Sequence, residues 1–309
     1  MLQKDSKNKM KNPRILFCGS TIESLHCLEK LNQKFDVQGV LTKPASRKTR
    51  RGEKTKNEIH QFADANNIPV FTAKNKSDVD INLPEIKSLD FDLCIVVSFG
   101  VIMSMDFINL FKNGCWNIHF SRLPANKGPA PVERSLLNNE NHFGYSIFQL
   151  DKGCDTGATL YVSEPMEFNW KVSVSQIRMQ IIEAATEKLI EIIESGKNIE
   201  LTPQVGVSSH AGFLSKEDFQ ILASDDFNGM LSKIRLEKAW FLIDGVMVKI
   251  ISIKDIIMNE VAVDSPYVNN RGEIFVENQT IVLDEIVPQS KSLVKAKTWF
   301  GNKKDKSLI

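Results

Sequence analysis

The stretch Phe91-Asp-Leu-Cys-Ile-Val-Val-Ser98 contains a run, Leu93 to Val97, that is apolar at every position. A strand with one solvated face alternates apolar and polar residues, so this uniform run predicts a central parallel strand covered on both faces. Toward the N-terminus, Arg14-Ile-Leu-Phe-Cys18 reads as another short buried strand. It runs into Gly19-Ser20-Thr21, a turn whose Ser or Thr caps a helix in which Leu25, Leu28 and Leu31 recur. Val37 to Leu41 is a further strand, residues 56–66 a helix ended by Asn67-Ile68-Pro69, and Val70-Phe71 starts the next strand. Strand and helix alternating at this rhythm predict an α/β fold with a mostly parallel sheet and right-handed crossovers.

Toward the C-terminus, Cys115 to His119 and Tyr145 to Gln149 add two strands, with a helix around Pro131 to Asn138 between them. Val172 to Glu194 carries Val174, Ile177, Ile181, Ala185, Leu189 and Ile193 on one stripe, which is a packing helix. Beyond about Leu201 the pattern changes to short β-rich pieces, and Asp244-Gly245 between two apolar runs predicts a hairpin. The division expected from these shifts is a flexible extension over 1–12, an α/β domain over 13–203 and a smaller β-barrel-like domain over 204–309.

Composition narrows the function classes. The chain has 309 residues, 42% hydrophobic and 25% charged, which is the balance of a folded globular protein. Its apolar runs are far shorter than the roughly 18–20 residues a membrane span requires, so no membrane partner is expected. Five cysteines, an odd number without C-x-x-C spacing, suit a reducing compartment. With 39 Lys plus Arg against 38 Asp plus Glu, the net charge of +1 gives no global attraction to polyanions. Basic excess is local: residues 4–14, residues 43–56 with seven bases against one acid, and Lys291 to Lys306 with six against one.

Several chemistries are excluded by missing motifs. No G-x-G-x-x-G follows the first strand and no G-x-x-x-x-G-K occurs, against dinucleotide and nucleoside triphosphate binding. The five histidines lack H-x-x-x-H spacing, so no metal is expected, and a G-x-S-x-G elbow is absent. What remains is Asn117-Ile118-His119 at the end of a strand, where alternation places the amide and the imidazole on one face at the carboxyl edge of the sheet. Ser121-Arg122-Leu123-Pro124 and Gly128-Pro-Ala-Pro131 follow it. Asp151-Lys-Gly-Cys-Asp155-Thr-Gly157 follows the next strand, and its glycines permit a sharp turn from which Asp155 reaches back toward His119.

The series Asn117-Ile-His119-x-Ser121-x-Leu-Pro124, Gly128-Pro-Ala-Pro131, Gly144-Tyr-Ser-Ile-Phe-Gln149 and Asp151-x-Gly-x-Asp155-Thr-Gly157 resembles the folate-dependent formyltransferases, and within them the methionyl-tRNA formyltransferases. The likeness extends to Arg14–Gly19, Val96–Gly100, Leu214–Glu217 and Phe241–Gly245. It implies a Rossmann-like catalytic domain followed by an OB-like barrel, with 10-formyltetrahydrofolate as co-substrate and initiator methionyl-tRNA as acceptor. A monomer is expected, in the cytoplasm or an organelle. In-family alternatives are a sugar-nucleotide N-formyltransferase and a formyltetrahydrofolate hydrolase.

Carried over by the resemblance, Asn117, His119 and Asp155 are catalytic, and Ser121, Arg122, Leu123 and Pro124 face the folate. Arg47, Lys48, Arg50, Arg51 and Lys54 lie in the insertion that meets tRNA. On this reading Asn117 and a protonated His119 donate to the developing formyl oxyanion, while Asp155 raises the His119 pKa and helps take the proton the attacking amine must lose. The chain departs from the family pattern at Arg122, at Ala125-Asn126-Lys127, at Arg50 in place of a Gly, and at Leu236–Trp240 in place of Asn-Pro-Trp-Pro.

Overall fold

The computed structural model describes residues 12–47, 54–196, 200–301 and 303–308, and these form two compact units. One comprises the chain up to Pro131, Phe143–Met166 and Arg178–Gly212; the other comprises Val132–His142, Glu167–Ile177 and the chain from Phe213 onward.

The first part of the chain runs β1 (Ile15–Gly19), α1 (Ile22–Lys34), β2 (Val37–Thr42), β3 (Ser46–Arg47), β4 (Lys54–Thr55), α2 (Glu58–Ala65), β5 (Val70–Thr72), α3 (Lys76–Ser88) and β6 (Leu93–Val97). It continues with α4 (Met105–Ile108), β7 (Cys115–His119), α5 (Pro131–Leu137), β8 (Ser146–Gln149), β9 (Thr159–Val162) and α6 (Val174–Ser195). Seven strands make one sheet in the order β5-β2-β1-β6-β7-β8-β9. The pairings from β5 to β7 are parallel, and β8 and β9 are added antiparallel.

The uniformly apolar β6 is fully buried and central, paired on one side with β1 and on the other with β7. Its Cys94 and Val96, with Leu16 and Cys18 of β1 and Cys115 of β7, share a core with Phe71, Phe91, Phe107 and Phe111. α1 begins at a reciprocal cap: the Thr21 side chain accepts from Ser24 N, and Ser24 Oγ accepts from Thr21 N. Ser24 Oγ also donates to Val97 O, which ties the start of α1 to β6.

In the second unit α7 (Phe227–Arg235) precedes β10 (Trp240–Ile243), β11 (Val246–Met258), β12 (Tyr267–Val268), β13 (Glu273–Val276), β14 (Gln279–Pro288), β15 (Val294–Lys295), α8 (Ala296–Phe300) and β16 (Lys306–Ser307). The strands form a nearly closed antiparallel barrel in the order β10-β11-β14-β13-β12-β16, with β15 on β14. Asp244 at φ 48° and Gly245 at φ 74° make the two-residue turn between β10 and β11, the left-handed pair that a twisted hairpin needs.

Candidate active site

β7 runs parallel to β6 on one side and antiparallel to β8 on the other, with Asn117 opposite Phe148 and His119 opposite Ser146. Two residues of strand separate Asn117 from His119, about 6.6 Å along one face of the sheet. Asn117 is half-buried; His119, at the strand's last position, is buried and edge-on to the Phe148 ring.

Beyond His119 the chain is fastened by short polar contacts. Ser146 Oγ donates to Ser121 O at 2.8 Å and accepts from Leu123 N at 2.9 Å, so β8 fixes the loop that follows β7. Ser121 Oγ donates to Ala125 O at 2.6 Å. Leu123 is buried and Pro124 half-buried after a cis peptide. Arg122 is exposed; its Nε donates to Ser163 O at 2.9 Å and its aliphatic stem lies over Gly144.

The loop returns the Asn126 carbonyl to within 2.8 Å of His119 Nε2. A carbonyl only accepts, so Nε2 carries the hydrogen and the other ring nitrogen, Nδ1, is the one free to exchange a proton. Nδ1 lies 3.8 Å from Asp155 Oδ2. The same carboxylate oxygen accepts from Gly128 N at 2.7 Å and from the Cys154 thiol at 3.6 Å. Gly128 has φ 114°, and a Cβ there would lie 2.8 Å from Ala211 O, so only glycine lets the loop approach. Gly157 is needed for space alone: a Cβ would lie 1.7 Å from Gln149 O.

His119 and Asp155, 36 residues apart in sequence, are therefore brought together, and Asn117 shares the face of the strand that carries His119. Burial pushes the His119 imidazole below its ordinary pKa; Asp155 and the Asn126 carbonyl pull it up without overcoming that loss of hydration. The sequence reading, which weighed only the carboxylate, expected a protonated ring. Burial instead shifts the ring toward its neutral form. Among the described residues no group of three or more His, Cys, Asp or Glu side chains is arranged to hold a metal ion, and no helix is long and apolar enough to cross a membrane.

Sequence reasoning missed two side chains that hold these loops. Gln204 Nε2 donates to Asp155 O at 2.9 Å and Gly157 O at 2.8 Å, and Ser209 Oγ accepts from Asn126 N at 2.8 Å. Neither belongs to a motif with a chemical signature, and both lie about 50 to 80 residues from their partners.

The basic segments are more varied than their charge count suggests. Arg47 and Lys54 pair through their backbones in the β3–β4 ladder; Lys48, Arg50 and Arg51 lie outside the described residues. In the second unit Lys295 Nζ is 3.0 Å from Asp284 Oδ1 and 3.2 Å from Glu285 Oε1, Lys306 Nζ is 3.1 Å from Asp244 Oδ2, and Lys303 lies over the Trp299 ring. Lys297 and Lys304 are exposed and make no ion pair among the described residues.

Residues 14–193 match the formyl transferase family. The methionyl-tRNA formyltransferase of Francisella philomiragia subsp. philomiragia is 30% identical over 248 residues, covering 78% of this chain and 78% of that protein. Among solved structures the fold is similar to that of WlaRD, a sugar 3N-formyl transferase in the presence of dTDP and 5-N-formyl-THF, with TM-score 0.63 and 16% identity over 91% of this chain and 100% of that one. It is also similar to methionyl-tRNA formyltransferase from Clostridium thermocellum, with TM-score 0.57 and 13% identity over 88% and 99% of the two chains. At these identities the structural likeness concerns the fold alone. Matched by the family over more than half of its length, and sharing 30% identity with a relative that it spans for more than three quarters, the chain belongs to the formyl transferase family.

Proposed function

We propose that this protein transfers the formyl group of 10-formyltetrahydrofolate to the amino group of initiator methionyl-tRNA, with Asn117, His119 and Asp155 as the catalytic groups. The observation that carries the reading is the 3.8 Å approach of Asp155 to a buried His119 whose other nitrogen is already committed to a carbonyl.

The chemistry follows from those two facts. As the amine attacks, a bond forms between its nitrogen and the formyl carbon, and negative charge builds on the formyl oxygen, where the Asn117 amide donates. The attacking nitrogen becomes cationic and must lose a proton. His119 Nδ1, neutral at rest, accepts it, and the imidazolium so formed is stabilised by the Asp155 carboxylate beside it. Collapse of the tetrahedral intermediate breaks the bond to N10 of the folate, which takes back the electron pair and then a proton. The burial that lowers the His119 pKa thus keeps the base unprotonated until the amine supplies a proton.

Ser121, Arg122, Leu123 and Pro124 form the loop against the folate on this reading, and the segment 43–56 and the lysines from Lys291 onward meet the tRNA. Lysine and arginine contacts to phosphate release counterions, so tRNA affinity should fall with salt at a slope near −0.7 to −0.9 per contact while folate affinity stays level. Incubation with 10-formyltetrahydrofolate and, separately, methionyl-tRNA, an amino-sugar nucleotide or water tests the assignment. Formylated methionyl-tRNA as the main product supports it. Preferred transfer to the amino sugar, or release of formate at the same rate, makes the protein a sugar-nucleotide N-formyltransferase or a hydrolase.

A further inference from the structure

The segment from Thr202 to Ala211 contains none of the catalytic groups, yet it grips both loops that carry their partners. At its start, Thr202 and Thr159 exchange both backbone hydrogen bonds, at 2.8 and 2.9 Å, which anchors the segment beside the start of β9. Gln204 then places its amide nitrogen on the carbonyls of Asp155 and Gly157. Five residues on, Ser209 Oγ accepts from Asn126 N and donates to Asn126 Oδ1, while Ser209 O accepts from Lys127 N at 2.9 Å. Ala211 N donates to Lys127 O at 2.6 Å and its carbonyl accepts from Ala130 N.

These contacts end on the backbone of Asp155 and on the backbone N–H and side chain of Asn126, the two residues whose other oxygens define the His119 environment. Asn126 supplies the carbonyl that fixes the hydrogen on Nε2, and Asp155 supplies the carboxylate facing Nδ1. Both residues have left-handed backbones, Asn126 at φ 54° and Asp155 at φ 53°. Asn and Asp adopt that conformation more readily than other non-glycine residues, and contacts from outside the loop hold it in place. The Gln204 amide supplies the restraint on Asp155. Its orientation is settled by chemistry: Gln204 Oε1 is buried without a partner among the described residues, and a reversed amide would press that oxygen against two carbonyl oxygens.

We propose that Gln204 and Ser209 are positioning residues of the site, Gln204 holding the Asp155 carboxylate on His119 Nδ1 and Ser209 holding the Asn126 carbonyl on Nε2. The proposal rests on the formyl-transfer reading of Asn117, His119 and Asp155. It makes the His119 pKa and tautomer depend on a segment that leads, in the chain, directly into the second unit.

The test uses the full-length protein with saturating formyl donor and acceptor. Gln204→Glu keeps the size of the side chain but offers an oxygen where two carbonyls need a donor, and Gln204→Leu removes the donor. Each should lower kcat by about 10- to 100-fold and leave the KM for the formyl donor within about twofold. The acid limb of the pH–rate profile should move to lower pH, because Asp155 no longer raises the His119 pKa. Ser209→Thr should keep near-normal turnover where Ser209→Ala loses about tenfold. In an Asp155→Asn background, Gln204→Leu should cost less than about twofold more, since the group it positions is gone. Circular dichroism checks that each variant folds; if Gln204→Leu does not, Gln204→Glu and the serine pair carry the test. Near-normal kcat in Gln204→Glu with an inactive Asp155→Asn overturns the positioning role and leaves the formyl-transfer reading intact. Full additivity of Gln204→Leu with Asp155→Asn, or an unmoved pH limb, also overturns it. Normal turnover in Asp155→Asn alone instead defeats the formyl-transfer reading.

Discussion

The His119–Asp155 pair and the lysines between Lys291 and Lys306 both gather ionisable groups, but under opposite conditions. The pair is enclosed, its side chains only 6% and 14% exposed, with His119 Nε2 on the Asn126 carbonyl and Nδ1 facing Asp155 Oδ2. The Lys295 side chain is 57% exposed, and its partners Asp284 and Glu285 also face water. In the enclosed site a charge acts on one neighbour at one distance and is weakly screened; on the open face charges are screened by salt and act as a sum. Substitutions should therefore be severe and specific in the first region, and graded and salt-dependent in the second.

The sharpest way to break this contrast is to neutralise the enclosed pair. Asp155→Asn or His119→Ala should lower kcat by about 100- to 1000-fold, the usual loss when a transition-state proton acceptor or charge partner is removed, with little change in thermal stability. Steady-state formylation and a melting curve check both halves. Retention of activity by either variant would remove the site's role. A second, smaller effect comes from the loop itself. Gly157→Ala places a methyl group against Gln149 O, so the Asp155 loop must shift, with a stability loss of about 1–3 kcal/mol from overpacking and a fall in kcat without loss of donor binding.

The pH dependence follows from the lowered His119 pKa. Folding favours the neutral ring, so between the folded pKa and the ordinary value near 6.5 the unfolded chain binds more protons. The stabilisation is present above about pH 6.5 and is lost as pH falls through that window. Melting temperatures of the parent protein should therefore drop more between pH 7 and pH 5 than those of His119→Asn. Turnover should persist to lower pH than an exposed histidine base would allow, and an equal acid limb at pH 6.5 or above would contradict the burial argument.

Much of this was legible in the sequence where one physical signal dominated. The uniform run at Leu93–Val97 gave a central strand, the Asp244-Gly245 dipeptide a hairpin, and the Asn117/His119 alternation a shared face. α3 escaped because Pro84 interrupts it and its apolar pattern is weak; Val79 and Ile86 anchor it, and the Asn75 side chain caps it. β8 and β9 join the sheet antiparallel, a direction that apolar pattern alone does not encode. Asp155 was singled out because its loop has a motif, whereas Gln204 and Ser209 bond mostly to backbone atoms and leave no spacing signal. The direction of the His119 pKa shift is set by burial, which no count of charged neighbours supplies.

The smallest expected effect lies among the lysines of the second unit, and it sharpens the contrast because it separates charge from contact. Lys295 is held by Asp284 and Glu285, so it is engaged within the protein, whereas Lys297 and Lys304 are exposed without an ion pair among the described residues. Each substitution to alanine removes one positive charge, and a response to net charge alone would make all three equivalent. Counterion release counts phosphates contacted instead. Replacing Lys297 and Lys304 together should reduce the magnitude of the log–log salt slope for tRNA binding by about 0.7–0.9 for each lost contact. Lys295→Ala should lower affinity slightly at low salt, by uncovering two carboxylates, and leave the slope unchanged. Filter binding of methionyl-tRNA across a salt series measures both quantities, with folate affinity as the control. Equal slopes in all variants would mean that this face does not meet phosphate, and that tRNA binding falls to the basic segment at residues 43–56.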